Sequence, residues 1–257
     1  MESSAPTGAR TLERGLGLLD HVAAGRERLE EISAAAGLSR SATHRMLTSL
    51  VAARFLEQTP QRTYRLGLKL LELGHLAERT LDLPGEVQAV LTSIADATRD
   101  TTHLGVLRGA DVLYLAKARG HRGMEMASRV GARLRAQNTA MGKALLAELP
   151  EERALAAFDP AAVVTGNSIA TAAEFARALR DVRERGFALD DQENELGVRC
   201  VAIAVPDLSG RPAAAVSISA PSVHVPQERV AELVGVLRAR RAELTARLPR
   251  GFATAWT

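Results

Sequence analysis

The sequence predicts an α+β protein whose N-terminal part is a winged helix-turn-helix. Two observations predict this fold. In residues 11–50 apolar side chains recur at helical spacing in three short segments, and Gly37 separates the last two. Further along, helix-like and strand-like segments follow in the order helix, hairpin, helix, strand, strand, helix, which favours a sheet with helices packed on it over alternating βαβ units.

Composition sets the outer limits of this interpretation. The chain has 257 residues, 46% of them apolar, and a formal net charge of +3, so two domains with buried cores are expected. Its longest apolar runs, such as VAIAV at 201–205, are too short to cross a bilayer, and we expect a cytoplasmic protein without membrane contact. The single cysteine, Cys200, excludes an internal disulfide framework and a multi-cysteine zinc site, and no metal or cofactor is expected.

The N-terminal elements can be placed one after another. A first amphipathic helix is expected to begin near Thr11, and a short second helix lies between Leu29 and Gly37. Ser39 is a suitable N-cap for a third helix, which is followed by two strand-like runs, 55–58 and 63–66, around a turn that contains proline. Residues 67–80 repeat leucine at helical spacing and predict a linker helix. We therefore expect a winged helix-turn-helix domain at 1–66, this linker at 67–80, and a second domain at 81–257.

The third helix exposes short polar and basic side chains, as a helix that enters the major groove does. Residues 36–69 carry six basic side chains against the single Glu57, a local excess of +5. The residues expected to read bases or phosphates of double-stranded DNA are Arg40, Ser41, Thr43, His44 and Arg45 on the helix and Arg62 and Arg65 on the hairpin. Two alternatives are a helical hairpin inside a larger bundle and a surface that binds a partner protein.

The second part supplies the elements of a sheet. A helix is expected at 86–99, a hairpin around Arg108 to Asp111, a small-residue helix at NTAMGKALLAELPEE, and another helix at 171–185. The segment GFALDDQENELGVRC predicts a strand that leads into an acidic loop. Further strands are expected at 198–206 and 212–220, and a final helix at 227–248.

A pocket for a small molecule is a second hypothesis. In AAAVSISA, Ser217 and Ser219 alternate with apolar residues and share one strand face. If that face met the start of the NTAMGK helix, two hydroxyls would lie near a thiol, a carboxylate and free N–H groups at Ala140 and Met141, a set that binds a small acid without cleaving it. The alternatives are that the serines bond to backbone, that Cys200 is a small buried apolar residue, and that the acidic loop is solvated.

Several segments in the same order resemble the IclR family of bacterial transcriptional regulators. They are TLERGLGLLD, LEEISAAAGLSRSATHRMLTSL, YRLGLKLLELG, NTAMGKALLAELPEE, RERGFALDDQENELGVRCVAIAV and AAAVSISAPS. The resemblance implies a linker helix used in dimerisation and a GAF-like or profilin-like effector domain with a central antiparallel sheet. It further implies a homodimer or dimer of dimers on a pseudo-palindromic operator.

The resemblance also implies an effector site. Its residues would be Ala140, Met141, Asp190, Cys200, Ser217 and Ser219, with Met124 and Met126 in the apolar wall. The chain departs from many relatives in the stretch RLRAQNTAMGK, where Arg135 and Gln137 replace a Leu-Pro and histidine pattern. A relative's effector therefore cannot simply be transferred to this chain.

The resulting prediction is a regulator, most simply a repressor, that a small carboxylate or hydroxy or aromatic acid controls, and not an enzyme. The alternative from another class is an enzyme that uses Cys200 and Asp190 on a DNA-binding tether. A third hypothesis is a DNA-binding module whose second domain only assembles subunits.

Overall fold

The structure is a computed structural model that describes residues 7–80, 85–122, 128–249 and 251–252. The chain divides into two compact units, 1–82 and 83–257. The predicted elements of both units are present, and the observed order of helices and strands confirms the α+β fold.

The first unit is a winged helix-turn-helix. Its helices are α1 (Thr7–Ala23), α2 (Leu29–Ala36), α3 (Arg40–Ala52) and α4 (Leu68–Thr80), and the antiparallel strands β1 (Leu56–Gln58) and β2 (Tyr64–Leu66) form the wing. Gly37 ends α2 in the left-handed region, at a φ of 62°, which a glycine adopts without steric cost. This turn lets α3 leave at an angle to α2.

A small core holds the first unit together. Leu18 of α1, Ile32 of α2, Leu47 of α3, and Leu56 and Tyr64 of the wing are buried against one another. Every element except α4 therefore supplies an apolar residue to the same centre, and α3 is held by its inner face alone. Its outer face is available for contacts with other molecules.

The second unit contains a six-stranded antiparallel sheet of spatial order β5-β4-β3-β8-β7-β6. The strands are β3 (Thr101–Arg108), β4 (Asp111–Ala118), β5 (Arg133–Arg135), β6 (Ala188–Asp191), β7 (Val198–Pro206) and β8 (Pro212–Pro221). The sequence did not predict β5, which has three residues and pairs with the start of β4.

Five α-helices lie in the described part of the second unit. They are α5 (Gly85–Thr98), α6 (Ala140–Ala147), α7 (Glu151–Leu155), α8 (Ala172–Arg185) and α9 (Gln227–Arg247). Met141 and Leu146 of α6 and Phe175 of α8 share one core with Tyr114, Ala202 and Ala215 of the sheet. Helix α6 therefore packs on the sheet face that also carries Ser217 and Ser219.

Candidate nucleic-acid interface and effector pocket

Helix α3 begins at a capped N-terminus and shows a polar outer face. The Ser39 hydroxyl accepts a hydrogen bond from the Ala42 N–H at 3.3 Å, which satisfies one of the donors that a helix start leaves open. Arg40, Ser41, His44 and Arg45 are all exposed. These four predicted DNA-contacting residues lie on the surface, where a duplex could reach them.

The prediction for Thr43 is wrong. Its side chain is 0% exposed, and its hydroxyl donates a hydrogen bond to the Ser39 carbonyl at 3.1 Å. Thr43 lies one turn before Leu47, so both residues belong to the face that α3 turns toward the core. Thr43 therefore supports the helix start and cannot read a base.

Several basic side chains of this region already have acidic partners. Arg40 pairs with Glu30 of α2 at 2.5 Å, Arg65 pairs with Glu57 directly opposite on the wing at 2.7 Å, and Lys69 pairs with Glu72 at 3.0 Å. Within the described ranges, the exposed side chains of Arg45, Arg54 and Arg62 have no recorded acidic partner. The positive charge left for a phosphate backbone is therefore concentrated on α3, the turn after it and the wing tip.

The wing and α3 meet around one surface groove of about 470 Å³. Arg40 and His44 line it from α3, and Arg62 lines it from the wing tip, where its φ is 60°. The Tyr64 N–H donates to the Glu27 carbonyl at 2.8 Å and fastens the wing to the start of α2. The fold thus brings Arg40, His44 and Arg62, three of the residues predicted to contact DNA, to the same surface groove.

In the second unit, strand register places the predicted pocket residues in rows on one face. Asp190 of β6 lies opposite Cys200 of β7, which lies opposite Ser219 of β8. Ser217 is in the next row on that face, opposite His103 of β3. Side chains opposite each other in an antiparallel sheet point to the same side, so Asp190, Cys200, Ser217 and Ser219 form one polar patch beside α6.

The start of α6 packs on the sheet face that carries this patch. Thr139 is the N-cap, and its hydroxyl accepts from the Gly142 N–H at 3.0 Å. In the described part of the chain no acceptor is recorded for the N–H groups of Ala140 and Met141. Two unpaired N–H groups and the helix dipole favour an anion at such a position.

Asp190 is a buried acid with an unusual environment. Its Oδ1 accepts from the Glu193 N–H at 2.8 Å and from the Asn194 N–H at 3.4 Å. Burial raises the pKa of its carboxyl to about 7, and the charge of Glu193 adds to this, whereas Lys143 acts in the opposite direction. Near neutral pH Asp190 can therefore donate a proton as well as accept one.

Cys200 is poorly suited to nucleophilic chemistry. Burial raises the pKa of its thiol, and the charge of Asp190 raises it further. Because a thiolate is the reactive form, the site keeps Cys200 as a protonated hydrogen-bonding group. Among the described residues no cluster of His, Cys, Asp or Glu could hold a metal ion.

Three residues beside the polar patch, His103, Tyr114 and Lys143, have no role predicted from the sequence, and Glu193 is placed only in an acidic loop. His103 and Tyr114 make an edge-to-face contact at 5.2 Å, and burial lowers the pKa of the histidine to about 3, so its ring is neutral. Lys143 and Glu193 form a buried ion pair. Only the register of a folded sheet relates His103 to Ser217, and no local spacing relates Lys143 to Glu193.

Other predicted positions have different outcomes. Met124 and Met126 lie outside the described residues. Gln137, where many relatives differ, donates to the Asp159 carbonyl at 3.1 Å and accepts from the Asp159 N–H at 2.7 Å. Its amide therefore holds the segment before α6 in place.

None of the described helices is long and apolar enough to span a membrane.

A winged helix-turn-helix with an exposed basic face, joined in one chain to a second domain of helices on an antiparallel sheet, defines a DNA-binding transcriptional regulator. Two family models match this chain: the IclR helix-turn-helix domain over residues 11–60 and the bacterial transcriptional regulator IclR C-terminal domain over residues 75–245. The chain belongs to the IclR family of bacterial transcriptional regulators.

Individual relatives agree with this assignment. The chain is 37% identical to the transcriptional regulator XynR of Escherichia coli K12 over 82% of this chain and 85% of that protein. It is 30% identical to the regulator KdgR of the same organism, over 86% and 85% of the two chains. The crystal structure of the Thermotoga maritima IclR matches with a TM-score of 0.71 and 28% identity, covering 95% of this chain and 99% of that one. The relatives are named as regulators, so the enzyme alternative is set aside.

Proposed function

We propose that this protein is a repressor that binds a pseudo-palindromic operator as a dimer or dimer of dimers and responds to a small organic acid. The observation that carries the proposal is the polar patch beside α6. It combines hydroxyls at Ser217 and Ser219, the thiol of Cys200, the carboxyl of Asp190 with its raised pKa, and the N–H groups of Ala140 and Met141.

The chemistry of this patch favours an acid with a further oxygen. The N–H groups at a helix start favour a carboxylate. A protonated Asp190 does not repel that charge, and the serine hydroxyls can bond to a hydroxyl or carbonyl oxygen of the same molecule. A hydroxy acid or keto acid satisfies all of these groups at once, whereas a cation would face unpaired donors.

Exposed leucines support the dimer. Leu68, Leu71 and Leu76 on α4 and Leu12 and Leu16 on α1 are large apolar side chains that remain open to solvent in the single chain. Several large apolar side chains exposed on one helix are typical of an interface, and a twofold dimer would place two recognition helices on successive major grooves.

The test has a DNA arm and an effector arm. Gel-shift titration with the promoter region next to the protein's own gene should show specific binding, and its absence would remove the regulator role at that site. A thermal-shift screen of carboxylic, hydroxy and keto acids on the full chain should yield stabilising members. Ser217→Ala with Ser219→Ala should weaken the response to those acids and leave operator binding unchanged. A double variant with an unaltered response would argue against this pocket.

A further inference from the structure

We propose that Lys143 and Glu193 are positioning residues of the effector pocket: their ion pair joins α6 to the loop 192–197 and places two charges beside the Asp190 carboxyl. This inference rests on the proposed role of the pocket. It concerns two residues outside the polar patch, and it can be tested without an effector.

Glu193 bonds to three parts of the second unit: helix α6, strand β6 and the segment 165–168. Its carboxylate pairs with Lys143, which lies three positions after Ala140 on α6. Its N–H donates to Asp190, and its carbonyl accepts from the Ser168 hydroxyl at 2.6 Å and the Thr165 hydroxyl at 3.2 Å. One residue thus fixes the carboxyl of Asp190 relative to the helix that offers the open N–H groups.

The ion pair between Lys143 and Glu193 is not expected to make the folded protein more stable than an apolar pair would. The side chains of Lys143 and Glu193 are only 4% and 11% exposed, so both charges have lost most of their hydration. In the described part of the chain, Glu193 Oε2 is buried without a hydrogen-bond partner. A packed apolar pair is often as stable as a buried ion pair, and a buried unpaired oxygen adds to the cost. Two charges at this position therefore point to a role in the pocket.

The charges of the pair act on Asp190 in opposite directions. The groups that face its carboxyl are Glu193 from the loop, Lys143 from α6, Cys200 from β7 and Tyr114 from β4. Glu193 raises the pKa of Asp190, and Lys143 lowers it. The loss of either partner should therefore move the titration of Asp190, and the direction should depend on which partner is lost.

The experiment follows the carboxyl resonance of Asp190 by NMR as a function of pH. The full chain is labelled with ¹³C-aspartate, and the resonance is assigned by its loss in Asp190→Asn. We expect a midpoint that rises in Lys143→Met and falls in Glu193→Gln, each by about one pH unit or more. Lys143→Arg should restore the original midpoint. Arg180→Met and Glu151→Gln remove a matched pair on the surface, 3.7 Å apart, and should leave the midpoint unchanged.

Two results would overturn the inference. The first is a titration midpoint of Asp190 that stays unchanged in both Lys143→Met and Glu193→Gln. A shift of that midpoint in the same direction in both variants counts equally against the inference. The other concerns the double variant Lys143→Met with Glu193→Leu, which should fold because neither partner of the ion pair is left behind without the other. Failure of this variant to fold would make the pair purely structural. If the NMR shifts occur but no acid stabilises the parent protein, the proposed effector function fails and the positioning of Asp190 stands.

Discussion

At the scale of single residues, the positive charge that the first unit can offer to DNA depends on which arginines lack an acidic partner. Arg45 on α3 is exposed and has no recorded partner in the described part of the chain, whereas Arg65 on the wing is held by Glu57 at 2.7 Å. A guanidinium that is already paired can contact a phosphate only if it breaks that pair, or if its carboxylate partner also comes close to the negatively charged DNA. Both events reduce its contribution to DNA binding. Charge counted along the sequence therefore overstates the contribution of Arg65.

We predict that Arg45→Ala weakens specific operator binding by about 1 to 3 kcal/mol, the usual cost of losing a base contact. Arg65→Ala is the matched control on the same surface and should cost much less. Fluorescence anisotropy with operator and scrambled duplexes measures both. Equal losses for the two variants, or an equal loss on both duplexes, would show that Arg45 does not read a base.

Asp190 shows how burial of one carboxyl links stability to pH. Its pKa is about 7 in the folded protein against an ordinary value of 3.8. Between these values the folded state keeps a proton that the unfolded state releases, so the free energy of unfolding should fall as pH rises and level off above about 7. His103 acts in the opposite sense at acidic pH, because its pKa is lowered to about 3 by burial.

A comparison with Asp190→Asn separates the two effects, since His103 is common to both proteins. We predict that the stability of the parent relative to this variant falls by about 2 to 3 kcal/mol between pH 5 and pH 8. Urea unfolding monitored by circular dichroism at the two pH values measures this difference. A difference that does not change with pH would mean that Asp190 titrates normally.

At the scale of elements, local pattern predicted most of the structure. The Ser39 cap, the Gly37 turn and the strands 198–206 and 212–220 follow from spacing and residue type, and the structure has them. The polar side chain of Thr43 suggests a DNA contact, whereas its position one turn before Leu47 puts it on the buried face of α3. Strand β5 is not predicted because a segment of three residues with one apolar side chain is too short to establish an alternating pattern, and pairing with β4 alone defines it. The pair of Lys143 and Glu193 spans 50 positions, which only the folded chain brings together.

Gly142 gives a prediction for α6 as an element. A Cβ at this position would lie 2.1 Å from the Ala136 carbonyl oxygen, so α6 can approach the preceding segment only with glycine there. Gly142→Ala should displace the helix start, lower the melting temperature by several degrees and weaken the response to acids. Gly235→Ala in α9 of the same unit is the control, because its Cβ meets nothing within 4 Å. It should be neutral or slightly stabilising, since alanine is the better helix former. A melting temperature unchanged in Gly142→Ala would contradict this close approach.

At the scale of the whole molecule, the first unit has more apolar surface than its own core can bury. Leu71 of α4 is 71% exposed, and Leu68 and Leu76 lie on the same helix with 67% and 54% exposed. A twofold axis would bury the same leucine of both subunits. Burial of each such side chain can stabilise a dimer by about 1.5 to 3 kcal/mol. We therefore propose α4 as the subunit contact, with Leu12 and Leu16 of α1 as further members.

We predict that Leu71→Glu converts the protein to monomers, because two carboxylates would be buried in place of two leucines. Sedimentation velocity should show the lower mass at concentrations at which the parent is a dimer. Operator affinity should fall by about 10²-fold or more, since each half-site is then bound independently. Leu196→Glu changes a leucine of similar exposure, 67%, in the second unit and should leave the dimer intact. A dimer that persists in Leu71→Glu and is lost in Leu196→Glu would move the subunit contact to the second unit, and the two recognition helices would then need another element to set their spacing on DNA.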